Sequence, residues 1–131
     1  FFSNNNMCMV WNQLAGIRTP PIVTTDFLYI RFIGDRTIQE KDFGKIQKDR
    51  DLEMKRWARF VKKARIEHRE INLAIVAANN HYAGFGPGTA NIFRKMLDLS
   101  EMTWNENVEI PDTGAKISSN TKQTSLSDFL K

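Results

Sequence analysis

Three short stretches of the chain are continuously apolar. They cover residues 7–11, 26–33 and 72–78, and the last of them reads Asn-Leu-Ala-Ile-Val-Ala-Ala. Continuous rather than alternating apolar runs of this length predict strands that are covered on both faces, as in a parallel sheet.

A long helix is predicted between the second and third strands, over roughly residues 49–70. Apolar residues recur there at spacings of three and four, which places them on one face of a helix. These residues are Met54, Trp57, Ala58, Val61 and Ala64. A second face carries Lys55, Arg59, Lys62 and Lys63, which we call the basic stripe.

The third strand is followed by a glycine-rich turn over residues 81–88 and by Thr89, which is predicted to cap a helix reaching about Leu99. Strand, helix, strand, helix is the βαβ pattern of α/β proteins. Three strands are too few to close a barrel or to cover a parallel sheet. The chain, which starts at Phe1 without an initiator Met, is therefore expected to be part of something longer.

Polar residues dominate from Asn105 onward and the apolar ones show no periodicity. This composition predicts a flexible, disordered tail over 105–131 behind a domain over 1–104.

The charge of the chain is uneven. The net charge is +4, but 12 Lys and Arg stand against 6 Asp and Glu between residues 36 and 69, a local net of +6. Such a block suits a polyanionic partner such as DNA, and it is equally typical of a solvated helix face.

Composition also bears on compartment. No apolar run approaches the roughly 20 residues that span a bilayer, so no membrane partner is predicted. The single cysteine, Cys8, excludes an internal disulfide framework, and its apolar neighbours predict a buried thiol. A reducing, cytoplasmic location follows as an expectation.

Two motifs resemble a known family. Residues 27–34, Phe-Leu-Tyr-Ile-Arg-Phe-Ile-Gly, resemble a late strand of the YecE-like family, (β/α)-barrel proteins containing a domain of unknown function. Residues 79–84, Asn-Asn-His-Tyr-Ala-Gly, resemble its Asn-Asn turn, with Pro87 and Thr89-Ala90 after it. The resemblance covers about residues 7–99 and implies the last three strands and helices of a TIM-type barrel. Ile33 and Thr89 depart from it, because the family usually has His and Asn there.

If that resemblance holds, chemistry belongs at the carboxyl ends of the strands. The candidate mouth residues are Asn12, Gln13, Arg31, Gly34, Asp35, Arg36, Asn79, Asn80 and His81. The turn into the following helix could bind an anion through Gly84, Gly86, Gly88 and Thr89, since helix N-termini favour phosphate.

Each candidate also has a structural interpretation. Arg31 is about as suited to pairing with Asp26, or with a carboxylate that this chain does not contain, as to binding a ligand, and Asn79 and Asn80 suit a turn by themselves. The three glycines match neither dinucleotide nor P-loop fingerprints, so no cofactor is predicted. His81 has no neighbouring His or Cys at ligand spacing, and His68 is expected to be exposed, so no metal site is predicted.

The last residues of the chain carry a distinct pattern. Gln123, Leu126, Phe129 and Leu130 fit Gln-x-x-aliphatic-x-x-aromatic-(aromatic or aliphatic). This resembles the PIP box by which archaeal and eukaryotic proteins bind the sliding clamp PCNA, and this version resembles archaeal ones. One turn of 3₁₀ helix would place the three apolar side chains together as a plug. The alternative is that Phe129 and Leu130 fold back onto the domain's own surface.

Three functional hypotheses remain at this point. The first is an enzyme of DNA replication or repair that is recruited by PCNA and acts on nucleotides or phosphodiesters. The second is a non-catalytic clamp-binding module. The third is a metabolic barrel enzyme for small phosphorylated or sugar substrates, with the tail match accidental. Barrel folds favour catalysis only by analogy.

Overall fold

The computed structural model describes residues 1–14 and 16–103, and these residues form three strands and three α-helices. The bounds, in chain order, are β1 Trp11–Leu14, β2 Phe27–Gly34, α1 Asp51–Glu67, β3 Leu73–Ala78, α2 Asn80–Ala83 and α3 Gly86–Met96, with 3₁₀ turns at Ser3–Asn5 and Glu40–Asp42.

The strands form one parallel sheet in the order β1-β2-β3. Trp11 is in register with Ile30, and Ile30 with Val76. A mixed α/β fold with a three-stranded parallel sheet was predicted, and that part of the prediction is confirmed.

Helix α1 covers one face of this sheet. Its buried residues are the five predicted from the periodicity: Met54, Trp57, Ala58, Val61 and Ala64. Asp51 and Glu53 lie in its first turn, where the helix dipole favours acids. The helix ends three residues before the predicted limit.

Aromatic side chains dominate the core between the helices and the sheet. Trp11 stacks on Trp57 with ring centroids 5.9 Å apart. Phe32 stacks on Tyr82 at 5.0 Å and meets Phe93 edge to face at 5.1 Å. Such pairs are each worth about 0.5–1.5 kcal/mol beyond the area they bury.

The first strand lies later in the chain than predicted. Residues 7–10 are not part of it, because their backbone is hydrogen-bonded to a side chain rather than to β2. Thr24 Oγ1 accepts from Met9 N and donates to the Met7 carbonyl, both at 2.8 Å. Cys8 belongs to this segment and was predicted to be buried, but it is only half-buried.

The prediction that Thr89 caps the last helix was wrong. Helix α3 begins at Gly86 with Phe85 as its N-cap residue, so Thr89 lies inside the first turns. Thr89 is fully buried, and its hydroxyl donates to the Phe85 carbonyl at 2.8 Å. The chain reverses earlier than predicted, because Gly84 adopts φ +105 after α2.

The sheet face opposite α1 has no helix over it among the described residues. Alternate residues of β2 are fully buried on the helix side: Leu28, Ile30 and Phe32. On the open face Leu73 and Ile75 of β3 are 52% and 44% exposed. Apolar exposure along this strand is what the shortage of strands predicted.

Candidate functional site

The carboxyl ends of β1, β2 and β3 lie at one edge of the sheet because the strands are parallel. Near that edge Asn12, Arg31 and Ala77 are register partners across the three strands. Side chains alternate between faces along a strand, so these three share the open face. We call them the open-face rung.

Arg31 is the cation of the rung. It is exposed, and no carboxylate or hydrogen-bond acceptor contacts it among residues 1–14 and 16–103. The predicted pairing with Asp26 is therefore not formed within that part of the chain. An unpaired guanidinium with five N–H donors suits an anion, phosphate above all.

Asn12 stands beside Arg31 but is more enclosed. Its Nδ2 donates to the Val10 carbonyl at 3.4 Å, while its buried Oδ1 has no hydrogen-bond partner in the described part of the chain. Gln13 points to the opposite face, where its Oε1 accepts from the Trp57 indole N–H at 2.9 Å. Gln13 is thus a core contact, whereas Asn12 retains an unused acceptor.

Asp35 follows β2 and is held as an anion. Its carboxylate accepts from the Thr37 hydroxyl at 2.7 Å and from Lys48 Nζ at 2.9 Å, and Arg50 lies 3.8 Å away. The hydrogen bond from the Thr37 hydroxyl, followed by that from Lys48, holds the pKa of the Asp35 carboxyl well below its usual range. Such a group is a poor proton acceptor near neutral pH, so it stabilises the turn rather than acting as a general base.

Arg36, the next candidate, is exposed and has an unusual backbone. Its φ is +59, in the left-handed region that side chains rarely adopt. No polar group contacts its guanidinium in the described ranges. Arg31 and Arg36, neither of which has an acidic partner within the described residues, both belong to the carboxyl-terminal part of β2 and the turn after it.

The residues at the end of β3 are occupied by local hydrogen bonds. Asn79 Oδ1 accepts from His81 N at 2.9 Å, and Asn80 Oδ1 accepts from Gly86 N at 2.7 Å. His81 Nδ1 lies 3.2 Å from the Ile38 carbonyl, and its ring meets Phe43 edge to face. The interpretation of both asparagines as turn residues is the one that these contacts favour.

The glycine-rich turn is closely packed. A Cβ on Gly84 would lie 2.8 Å from Gln47 Nε2, and one on Gly88 would lie 2.6 Å from the Phe85 ring. The backbone N–H groups of Gly86 and Thr89 already have acceptors, in Asn80 and Phe85. The Gly84 N–H donates to the Asn80 carbonyl at 2.7 Å, so three of the four predicted anion-binding positions have no free backbone donor.

A polar cluster that the sequence did not indicate lies behind Asp35. The buried Tyr82 hydroxyl donates to Glu53 Oε2 at 2.9 Å, and Arg50 contacts the same carboxylate at 3.5 Å. Arg50 Nε also donates to the Tyr82 carbonyl at 2.9 Å. Burial, followed by the Glu53 contact, raises the pKa of Tyr82 above its usual range. The spacing of Arg50 and Glu53 was the only signal in the sequence, and it did not indicate a tyrosine 29 residues after Glu53.

The basic stripe of α1 lies on its exposed surface and is largely neutralised. Lys55 pairs with Asp51 at 2.5 Å, Lys62 with Asp98 at 2.6 Å and Lys63 with Glu67 at 3.7 Å. Exposed pairs such as these contribute little to stability, but they reduce the positive charge offered to a polyanion. Arg59 alone of the four has no acidic partner among the described residues.

A groove lies away from the mouth residues, on the helix side of β3. It has a volume of about 930 Å³ and runs between the ends of α1 and α3. We call it the β3 groove. Its lining includes Lys62, Arg65, Ile66, Ile71, Leu73, Ala74, Val76, Phe93, Arg94, Leu97, Leu99 and Met102.

Residues 1–14 and 16–103 lack two further features. No group of three or more His, Cys, Asp and Glu side chains is placed to hold a metal ion there. None of the helices formed by these residues has the length and apolar character needed to cross a membrane. The tail and the clamp-motif residues Gln123, Leu126, Phe129 and Leu130 lie outside the described residues.

Comparison with known families explains the two motifs at the ends of β2 and β3. The profile of the family described as "Protein of unknown function DUF72" matches residues 1–113. The chain belongs to the DUF72 family. The predicted YecE-like membership is thereby confirmed, and the match runs nine residues beyond the predicted domain end at 104.

A solved structure gives the same result. A DUF72 family protein from Thermotoga maritima is 25% identical with a TM-score of 0.54, over 74% of this chain and 39% of that chain. This DUF72 chain thus spans about two fifths of the length of that protein. No curated protein matches it.

Proposed function

We propose that this chain is the carboxyl-terminal part of a DUF72 (β/α) barrel that acts in DNA replication or repair and is recruited by the sliding clamp PCNA. The observation that carries the proposal is the spacing of Gln123, Leu126, Phe129 and Leu130 at the end of the sequence. A solvated polar stretch gives no structural reason for three apolar residues at this spacing, whereas a binding motif does.

The physical basis is recognition of a short helical turn in an apolar groove. Leu126, Phe129 and Leu130 form the plug, and the Gln123 amide both donates and accepts hydrogen bonds in a polar pocket. Leu130 stands where the strongest motifs have a second aromatic residue, which weakens binding.

The open-face rung supports a substrate that carries phosphate. Arg31 offers a guanidinium without an acidic partner in the described part of the chain, and Arg36 lies close in sequence at the same end of β2. A nucleotide or phosphodiester would supply the anion that this position suits. The basic stripe gives weaker support, because three of its four cations are paired.

Calorimetric titration of the full chain into an archaeal-type clamp tests recruitment. The expected dissociation constant is on the order of micromolar, since few side chains are buried on docking. Phe129→Ala should abolish most of the binding, because a buried aromatic anchor carries a disproportionate share of the affinity. Ser127→Ala, two residues away and off the plug, is the matched control and should bind like the wild type.

Equal heats for the wild type and Phe129→Ala, or none for either, would show that the match is accidental. The interpretation as a metabolic barrel enzyme for a small phosphorylated or sugar substrate would then take precedence.

A further inference from the structure

The β3 groove combines an apolar floor with a basic rim. Val76, Phe93 and Leu97 contribute to the floor, and Arg65 and Arg94 stand at its edge. Fully solvated apolar surface of this extent is uncommon in monomeric proteins and marks a place where another segment packs.

Only part of the positive charge around the groove is paired with acidic side chains of the described residues. Lys62 pairs with Asp98, which also lines the groove. Arg94 Nε donates to the Ser100 carbonyl at 2.8 Å, and neither Arg94 nor Arg65 contacts an acid within the described ranges. The rim therefore favours an occupant that is negatively charged.

The last residues of the described chain already lie in this groove. Leu99 and Met102 line it. The Asn91 side chain hydrogen-bonds to both backbone polar groups of Met102. Its Nδ2 donates to the Met102 carbonyl at 2.8 Å, and its Oδ1 accepts from Met102 N at 3.0 Å. The described part of the chain, which ends at residue 103, therefore ends beside the groove.

The segment that follows has the matching composition. Residues 104–113 contain Glu106, Glu109 and Asp112 and no Lys or Arg, together with apolar Trp104, Val108 and Ile110. The DUF72 match extends through residue 113, so the family profile counts this segment with the domain.

We propose that residues 104–113 of this chain occupy the β3 groove, with Trp104 on the apolar floor and the acidic residues facing Arg65 and Arg94. A large aromatic ring fills an apolar cleft at low conformational cost, and acids at the rim meet the two arginines that lack acidic partners. The clamp motif begins only at Gln123, so the two docking events use different residues and either can fail without the other.

The fluorescence of Trp104 tests whether this segment occupies the groove. Trp11 and Trp57 are 1% and 0% exposed, so acrylamide quenching of the full chain reports chiefly on Trp104 if that ring is solvated. Subtracting the spectrum of Trp104→Phe isolates the third tryptophan. The expected result is a blue-shifted Trp104 emission, with quenching close to that of the buried pair.

Two variants of the groove should release the segment. Met102→Glu and Arg65→Glu each place an acid where the occupant is acidic, and both positions are exposed, so folding is preserved. In either variant quenching of Trp104 should rise several-fold. Met7→Glu is the matched control, a methionine of comparable exposure outside the groove, and should leave Trp104 protected.

Three outcomes would overturn the proposal. Trp104 is quenched freely in the wild type, or it remains protected in both groove variants, or its protection appears only at concentrations where sedimentation shows a dimer. The last result would assign the groove to a second copy of the chain.

Discussion

Gly34 cannot be replaced by a residue with a side chain without a loss of stability, for two separate reasons. Its φ is +81, and a Cβ there would lie 2.5 Å from Tyr82 N and against the His81 carbonyl group. Gly34→Ala therefore introduces two costs. The left-handed backbone costs about 1–2 kcal/mol for a residue with a side chain, and overpacking against a fixed backbone adds about 1–3 kcal/mol.

The chain supplies a matched control for the first cost. Gly16 has φ +73, but nothing lies within 4 Å of a Cβ built on it. Gly16→Ala should therefore lose only the conformational term, leaving Gly34→Ala the less stable by about 1–3 kcal/mol.

Urea denaturation followed by the fluorescence of the stacked Trp11 and Trp57 measures both variants. A difference of this size separates their midpoints by about 1 M, since m is about 1–3 kcal/mol per M for small domains. Equal midpoints for Gly34→Ala and Gly16→Ala would refute the close approach of the α2 backbone to the end of β2.

Two further predictions concern the charged residues. Because the folded-state pKa of Asp35 lies below its ordinary value of 3.8, its stabilising contribution is present above that pH and is lost as the pH falls further. Asp35→Asn should therefore reduce the loss of stability in acid, as seen in thermal melts across that range. Arg31→Gln should weaken binding of single-stranded DNA and lower its salt slope by about 1. Arg56→Gln, an exposed cation of α1 outside the basic stripe, should change neither, and the same loss in both variants would exclude Arg31 as a specific phosphate contact.

Features that depend on neighbouring residues were predictable from the sequence. The buried stripe of α1 follows from spacings of three and four, and the pairs Lys55–Asp51 and Lys63–Glu67 are one helical turn apart. The start of β1 was missed because a single hydroxyl, that of Thr24, holds the preceding segment away from the sheet.

Features that depend on distant residues were not predictable. The Thr89 hydroxyl hydrogen-bonds inside α3 instead of capping it. The reason is that Gly84 reverses the chain, and α3 begins, earlier than the glycine pattern suggested. The contact between Tyr82 and Glu53 requires α1 and α2 to be folded against each other. No periodicity or spacing motif reports such a juxtaposition.

The exposed strand β3 has a consequence for how the chain behaves in solution. Its sequence, Leu-Ala-Ile-Val-Ala-Ala, contains no charge and no proline, the two devices by which proteins stop an edge strand from recruiting another one. Among the described residues only β2 pairs with it. A strand of this composition, unpaired on one side within the described residues, is a template for intermolecular β-pairing, so raising the protein concentration should favour association over the monomer.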